Sequence, residues 1–174
     1  MSNEERILLS RKNLGRRKQQ EFLAGASGAL GTELATESLT SVEEYDAFAA
    51  ALERDGRQHC VSCVEKELVE RRLTVLALSE PDVPVVLLLT DSEYCGGITV
   101  KLRDVVVRWR SLVEYDGGAL CLVSQDMRSG LQVYDEEETG ASIGWSLFAW
   151  GESWMRILDC QQPPGPMTCE ASRI

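Results

Sequence analysis

Apolar positions recur at helical spacing in the first third of the chain and at strand spacing through most of the rest. Ile7, Leu8, Leu14, Phe22 and Leu23 mark a partial stripe over residues 3–25, which predicts one helix or two short ones, with Gly15 weakening the middle. Residues 24–40 are small and polar and read as a loop with room for a helical turn. Ser41 and Glu44 form a capping-box pattern ahead of Val42, Tyr45, Phe48, Ala49 and Leu52, so a helix is expected up to Asp55-Gly56. His59–Val64 suits the start of a strand and Glu65–Arg72 a helix; of the two, a helix over 59–71 is expected.

Beyond it, Leu73–Leu78 and Val85–Thr90 read as strands separated by a Pro-containing turn at 80–84. A short strand follows Gly96-Gly97 at 98–101. Leu102, Val105, Val106 and Trp109 share one face, which predicts a short helix over 102–112 despite the β-branched residues. Strands are expected at 119–124, 130–134, 144–150 and 155–158. The order predicts an α+β fold: N-terminal helices followed by a mainly antiparallel sheet with one inserted short helix. A single domain is expected over 1–160, with 1–40 as a helical and loop arm loosely attached to it. Residues 161–174, with Pro163, Pro164, Gly165 and Pro166, read as a flexible tail.

Composition agrees with a globular chain: 174 residues, 44% hydrophobic and 26% charged, enough to bury a core without metal or disulfide staples. The longest apolar run, Val83–Leu89, is strand-sized, so no membrane span is expected. Charges at Glu4, Glu5 and Arg6 leave no room for a secretory h-region, and a cytoplasmic location follows as an expectation. In such a compartment the six cysteines are expected as reduced thiols, several of them inside apolar runs such as 119–123.

Charge changes the picture most. The net charge is −10, yet residues 1–20 hold six Lys/Arg against two acids, +4, which leaves −14 on the other 154 residues. That field disfavours direct nucleic-acid binding and favours a basic protein partner, although acidity also serves solubility. The basic cluster from Arg11 to Lys18 reads as a solvated helix face, or as a surface for an anion or for the body's own acids.

Candidate chemistry is sparse. His59-Cys60-x-x-Cys63 could hold a metal or form a redox pair, but no second CxxC or CxxH completes a zinc site. His59 is the only histidine, and GxSxG, GxxxxGK[ST] and GxGxxG are all missing, so neither a cofactor nor a catalytic residue is assigned. The acidic run Asp135, Glu136, Glu137 and Glu138 is either solvated or faces a basic partner. Asp91, Glu93, Glu114 and Asp116 lie in other expected turns and would join it in one negative face. Among Trp109, Trp145, Trp150 and Trp154, at least two belong in the core. Trp150–Trp154 reads as a turn, which would leave Trp154 exposed as an anchor for a partner.

Three stretches, GGITVKLRDVVVRWRSL (96–112), GGALCLVSQDM (117–127) and SLFAWGESW (146–154), resemble small acidic immunity proteins of bacterial polymorphic-toxin and contact-dependent inhibition systems. The resemblance covers about a third of the chain. It implies a cytosolic protein, monomer or homodimer, that binds and neutralises a toxin domain of the nuclease kind by acidic mimicry of a phosphate backbone. Competing readings are a secretion chaperone or adaptor, a viral anti-defence protein, and a metal- or thiol-dependent enzyme centred on His59, Cys60 and Cys63.

Overall fold

The computed structural model describes residues 2–55, 59–136 and 144–159, with the backbone alone at 55, 59–64 and 157–159. It is an α+β fold: two N-terminal helices, then an antiparallel sheet with short helices inserted. The elements are α1 (Asn3–Leu30), a 3₁₀ turn (Thr36–Ser38), α2 (Val42–Asp55), β1 (His59–Val64), α3 (Lys66–Ser79), β2 (Pro84–Leu88), α4 (Ser92–Cys95), β3 (Ile98–Lys101), α5 (Leu102–Val107), α6 (Trp109–Tyr115), β4 (Ala119–Ser124), β5 (Gly130–Asp135), β6 (Trp145–Trp150) and α7 (Glu152–Asp159). The sheet has six strands in the order β1-β6-β5-β4-β2-β3.

Alternation along the strands divides the core between two faces. Val85, Leu87, Leu120, Leu122, Leu131, Val133, Leu147 and Ala149 point to one face, where they pack with residues of α1, α3, α5, α6 and α7. Val86, Leu88, Val123 and Trp150 point to the other and are covered by Phe48 of α2. The expected capping box closes α2: the Ser41 N–H donates to Glu44 Oε2 at 2.7 Å, and the Glu44 N–H donates to Ser41 Oγ at 3.1 Å.

α1 is longer than its apolar stripe suggested. A capping box between Ser2 and Glu5 starts it, and Gly31, with φ +68°, ends it in the left-handed conformation. Residues 25–30, read as loop, are its last turns. Gly25 lies where a Cβ would meet the Tyr115 ring at 2.4–2.8 Å, and Ala26 and Leu30 are buried. Small residues here permit close helix packing. Phe22, Ala26, Ala29 and Leu30 of α1 pack into the main core.

Within 59–79 the expected helix holds over 66–71 and the assignment changes on either side of it. Residues 59–64, expected as helix, form the edge strand β1, and 73–78, expected as strand, are the second half of α3. Val69, Arg72, Leu73 and Leu76 are buried at i, i+3, i+4 and i+7, a helical period that outweighs the β-branched Thr74 and Val75. Thr74 turns outward and its hydroxyl donates to the Glu70 carbonyl at 2.8 Å. The expected helix over 102–112 is two helical segments, α5 and α6, broken at Arg108.

The expected strand 155–158 is instead part of α7. Gly151, at φ +88°, reverses the chain out of β6, and a Cβ there would lie 2.2 Å from Ser129 Oγ. That reversal folds Trp154 back under the sheet. The expected tail lies outside the described residues.

Candidate functional site

Strand register decides which side chains share an end of the sheet. Leu88 of β2 pairs with Cys121, Ala119 of β4 pairs with Tyr134, and Asp135 of β5 pairs with Trp145. The exit of β2, the entry to β4, the exit of β5 and the entry to β6 therefore lie together. Three segments far apart in sequence bring carboxylates there: Asp91 and Glu93 at α4, Glu114 and Asp116 at the close of α6, and Asp135 and Glu136 at the end of β5. Six of the nine sequence candidates thus gather at one end. Glu137 and Glu138 lie outside the described residues.

Backbone hydrogen bonds fix this end. The Asp135 N–H donates to the Gly118 carbonyl at 2.8 Å, which ties the exit of β5 to the turn holding Asp116. The Thr90 N–H donates to Asp116 Oδ1 at 2.7 Å, which joins that turn to the exit of β2. Burial pushes the Asp116 carboxyl above the usual range, the Thr90 hydrogen bonds oppose the shift, and the Asp91 charge adds to it. Glu114 is exposed to solvent.

Part of this negative charge is already engaged by α1. Lys18 Nζ lies 2.7 Å from Asp91 Oδ1 and 5.4 Å from the centre of the Tyr94 ring. Arg11 makes a two-pronged contact with Asp46, at 2.8 and 2.9 Å, and also donates to the Glu93 carbonyl. Lys12 pairs with Glu43. Three of the six N-terminal cations are therefore directed at the body's own acids, in place of a wholly solvated face. Glu114, Asp116, Asp135 and Glu136 make up the rest of this end.

Trp154 does not belong to this surface. It is 1% exposed, and its indole N–H donates to Glu80 Oε2 at 2.7 Å, so the expected exposed anchor is a core residue. The helical turn Glu152–Asp159 buries it, a periodicity that the preceding Trp-Gly pair masked in the sequence. Trp109 and Trp150 are buried as well, and Trp145 packs edge-on against Trp109 at 5.1 Å with Lys66 over its ring.

Two concave surfaces have no counterpart among the features expected from the sequence. One, of about 890 Å³, lies at the opposite end of the sheet between the α3–β2 turn and the β4–β5 turn, with Glu80, Asp82, Asp126 and Ser153 among its lining residues. Asp126 accepts from Ser124 Oγ at 2.7 Å and from the Arg128 N–H, which holds its carboxyl below the usual range. The other, of about 630 Å³, lies between α3 and the α5–α6 pair.

Cys60 and Cys63 lie on edge strand β1, where the backbone alone is described, so the fate of His59-Cys60-x-x-Cys63 falls outside the described side chains. Cys95 is buried with its Sγ 3.8 Å from the Gly15 carbonyl, and burial pushes its thiol up. Burial pushes the Cys121 thiol up to about 12. Neither favours the thiolate that nucleophilic or metal chemistry uses. Among the described residues no group of three His, Cys, Asp or Glu side chains stands close enough to hold a metal ion. Nor is any described helix long and apolar enough to cross a membrane. Compared with protein-family models, curated proteins and solved structures, the chain matches none.

Proposed function

We propose that this chain is a stoichiometric binding protein that docks a basic protein on the acidic end of its sheet. Within that class we read it as an immunity protein that neutralises a cognate toxin domain in the cytosol. The observation that carries the reading is the convergence of Asp91, Glu93, Glu114, Asp116, Asp135 and Glu136 from three chain segments onto one end of an antiparallel sheet. Like charges brought together repel, and a cationic partner relieves that repulsion on docking. The overall charge of −10 adds a long-range field that speeds encounter with such a partner.

Capture from a lysate of the source organism at low salt, followed by elution with rising salt and mass spectrometry, tests the reading. The expected eluate is one folded basic domain in 1:1 ratio, lost when Glu114→Lys and Glu136→Lys are combined. Capture that persists in the double variant would remove the acidic end from the account. A mixed set of unfolded clients would replace the inhibitor with a chaperone.

A further inference from the structure

The groove between α3 and the α5–α6 pair differs in character from the acidic end of the sheet. Its base is formed by partly or fully buried Ala77, Val106 and Trp109. On its sides stand Leu78 and Val107, each 77% exposed, the two most exposed large aliphatic side chains among the described residues. Arg103, Arg108 and Arg110 complete the lining, and Glu70 is the one acid among the lining residues. Arg110 pairs with Glu70, and Arg103 lies 3.5 Å from its own neighbour Asp104, an exposed pair of little strength. The lining is thus positive in a chain of net charge −10.

We propose that this groove docks an acidic amphipathic segment of another protein. Apolar side chains of that segment would lie between Leu78 and Val107, with its carboxylates on Arg103, Arg108 and Arg110. Guanidinium groups pair carboxylates through two parallel hydrogen bonds, and exposed aliphatic walls need an apolar cover, so the combination fits an acidic helix. The stretch of α3 from Glu70 to Leu78 rises about 12 Å, which matches roughly two turns of a docked helix. A second copy laid groove to groove would bring arginines against arginines. A nucleic acid would satisfy the arginines but leave Leu78 and Val107 uncovered, and would meet the negative field of the body. The carboxylates of the acidic end take no part in the lining, so this site stands apart from the proposed basic partner.

The test uses the full chain and a fluorescein-labelled peptide of about four helical turns, with Leu at i, i+4 and i+7 and Glu on the flanks. Fluorescence anisotropy is expected to show saturable binding, weakened roughly ten-fold or more by Leu78→Glu and by Val107→Glu. Both side chains are exposed, so both variants should keep the wild-type thermal melting curve. A peptide with Lys in place of Glu should not bind. The Glu114→Lys, Glu136→Lys double variant should bind the acidic peptide as wild type does, which separates this proposal from the one above. Absence of saturable binding would overturn it, as would equal binding by the two groove variants. So would displacement of the peptide by a single-stranded oligonucleotide at equal concentration, or a dimer that Val107→Glu dissociates.

Discussion

The indole N–H of Trp154 donates to Glu80 Oε2 at 2.7 Å, and this one bond joins the start of α7 to the end of α3 across the core. Trp154→Phe keeps most of the ring volume and removes the donor, leaving a half-buried carboxylate short of a partner. A loss of about 1–2 kcal/mol is expected, against about 3–5 kcal/mol for Trp154→Ala, where a cavity is added. Urea denaturation resolves the two. Equal stability of Trp154→Phe and wild type would show that the bond contributes nothing.

Two glycines of α1 should respond oppositely to the same change. A Cβ at Gly15 would lie 1.9 Å from the Tyr94 carbonyl oxygen, whereas at Gly28 it would meet nothing within 4 Å. Gly28→Ala should therefore stabilise the protein by about 0.5–1 kcal/mol through helix propensity and a less flexible unfolded chain. Gly15→Ala should destabilise it despite the same propensity gain, because α1 must withdraw from α4. Thermal melts of the two variants side by side decide the matter, and a shift of the same sign would contradict the packing described here.

Asp116 carries a pH signature. Burial raises its folded-state carboxyl above the unfolded value, so ionising it costs stability at neutral pH and costs none once both states are protonated. Asp116→Asn keeps an oxygen for the Thr90 N–H while removing the charge. The variant should be more stable than wild type at pH 7, and the difference should shrink as pH falls through the carboxylate range, disappearing below about pH 4. Denaturation midpoints measured between these limits give the curve. A gain that stays constant with pH would assign the effect to packing.

The described cysteines should be inert in the native state. With the Cys121 thiol pushed up to about 12 and Cys95 raised by burial, alkylation by iodoacetamide at pH 8 should leave both unmodified until denaturant is added. Peptide mass mapping reads each position separately. Rapid native labelling of Cys121 would mean that its strand is far more open than its packing implies.

What was legible in the sequence followed from signals that are local in the chain. The Ser41–Glu44 capping box, the apolar runs of β2 and β4, and the alternation in β5 and β6 each specify their element without outside help. Residues 59–64 and 73–78 differ from expectation because short apolar runs suit helix and strand alike, and the burial of Val69, Arg72, Leu73 and Leu76 marks the helix that continues through 73–78. Trp154 differs from expectation because a Trp-Gly pair suits the tip of a turn, whereas Gly151 reverses the chain into a helix.

The candidate carboxylates were legible as turn residues, but their gathering at one end depends on register between strands. The engagement of Asp91 by Lys18 depends on how α1 lies across α4. The arginine-lined groove was not legible at all, since it exists only where α3 and α5 meet.

The pairing of β1 with β6 sets the order in which this protein can be completed during its own synthesis. His59 pairs with Ala149, so the first strand leaves the ribosome long before its neighbour exists. Strands β2 to β5 can assemble among themselves in that interval, while β1 waits with both of its edges bare. A newly made chain thus holds an open strand edge until its last strand emerges, and chaperone protection matters most at that stage of translation.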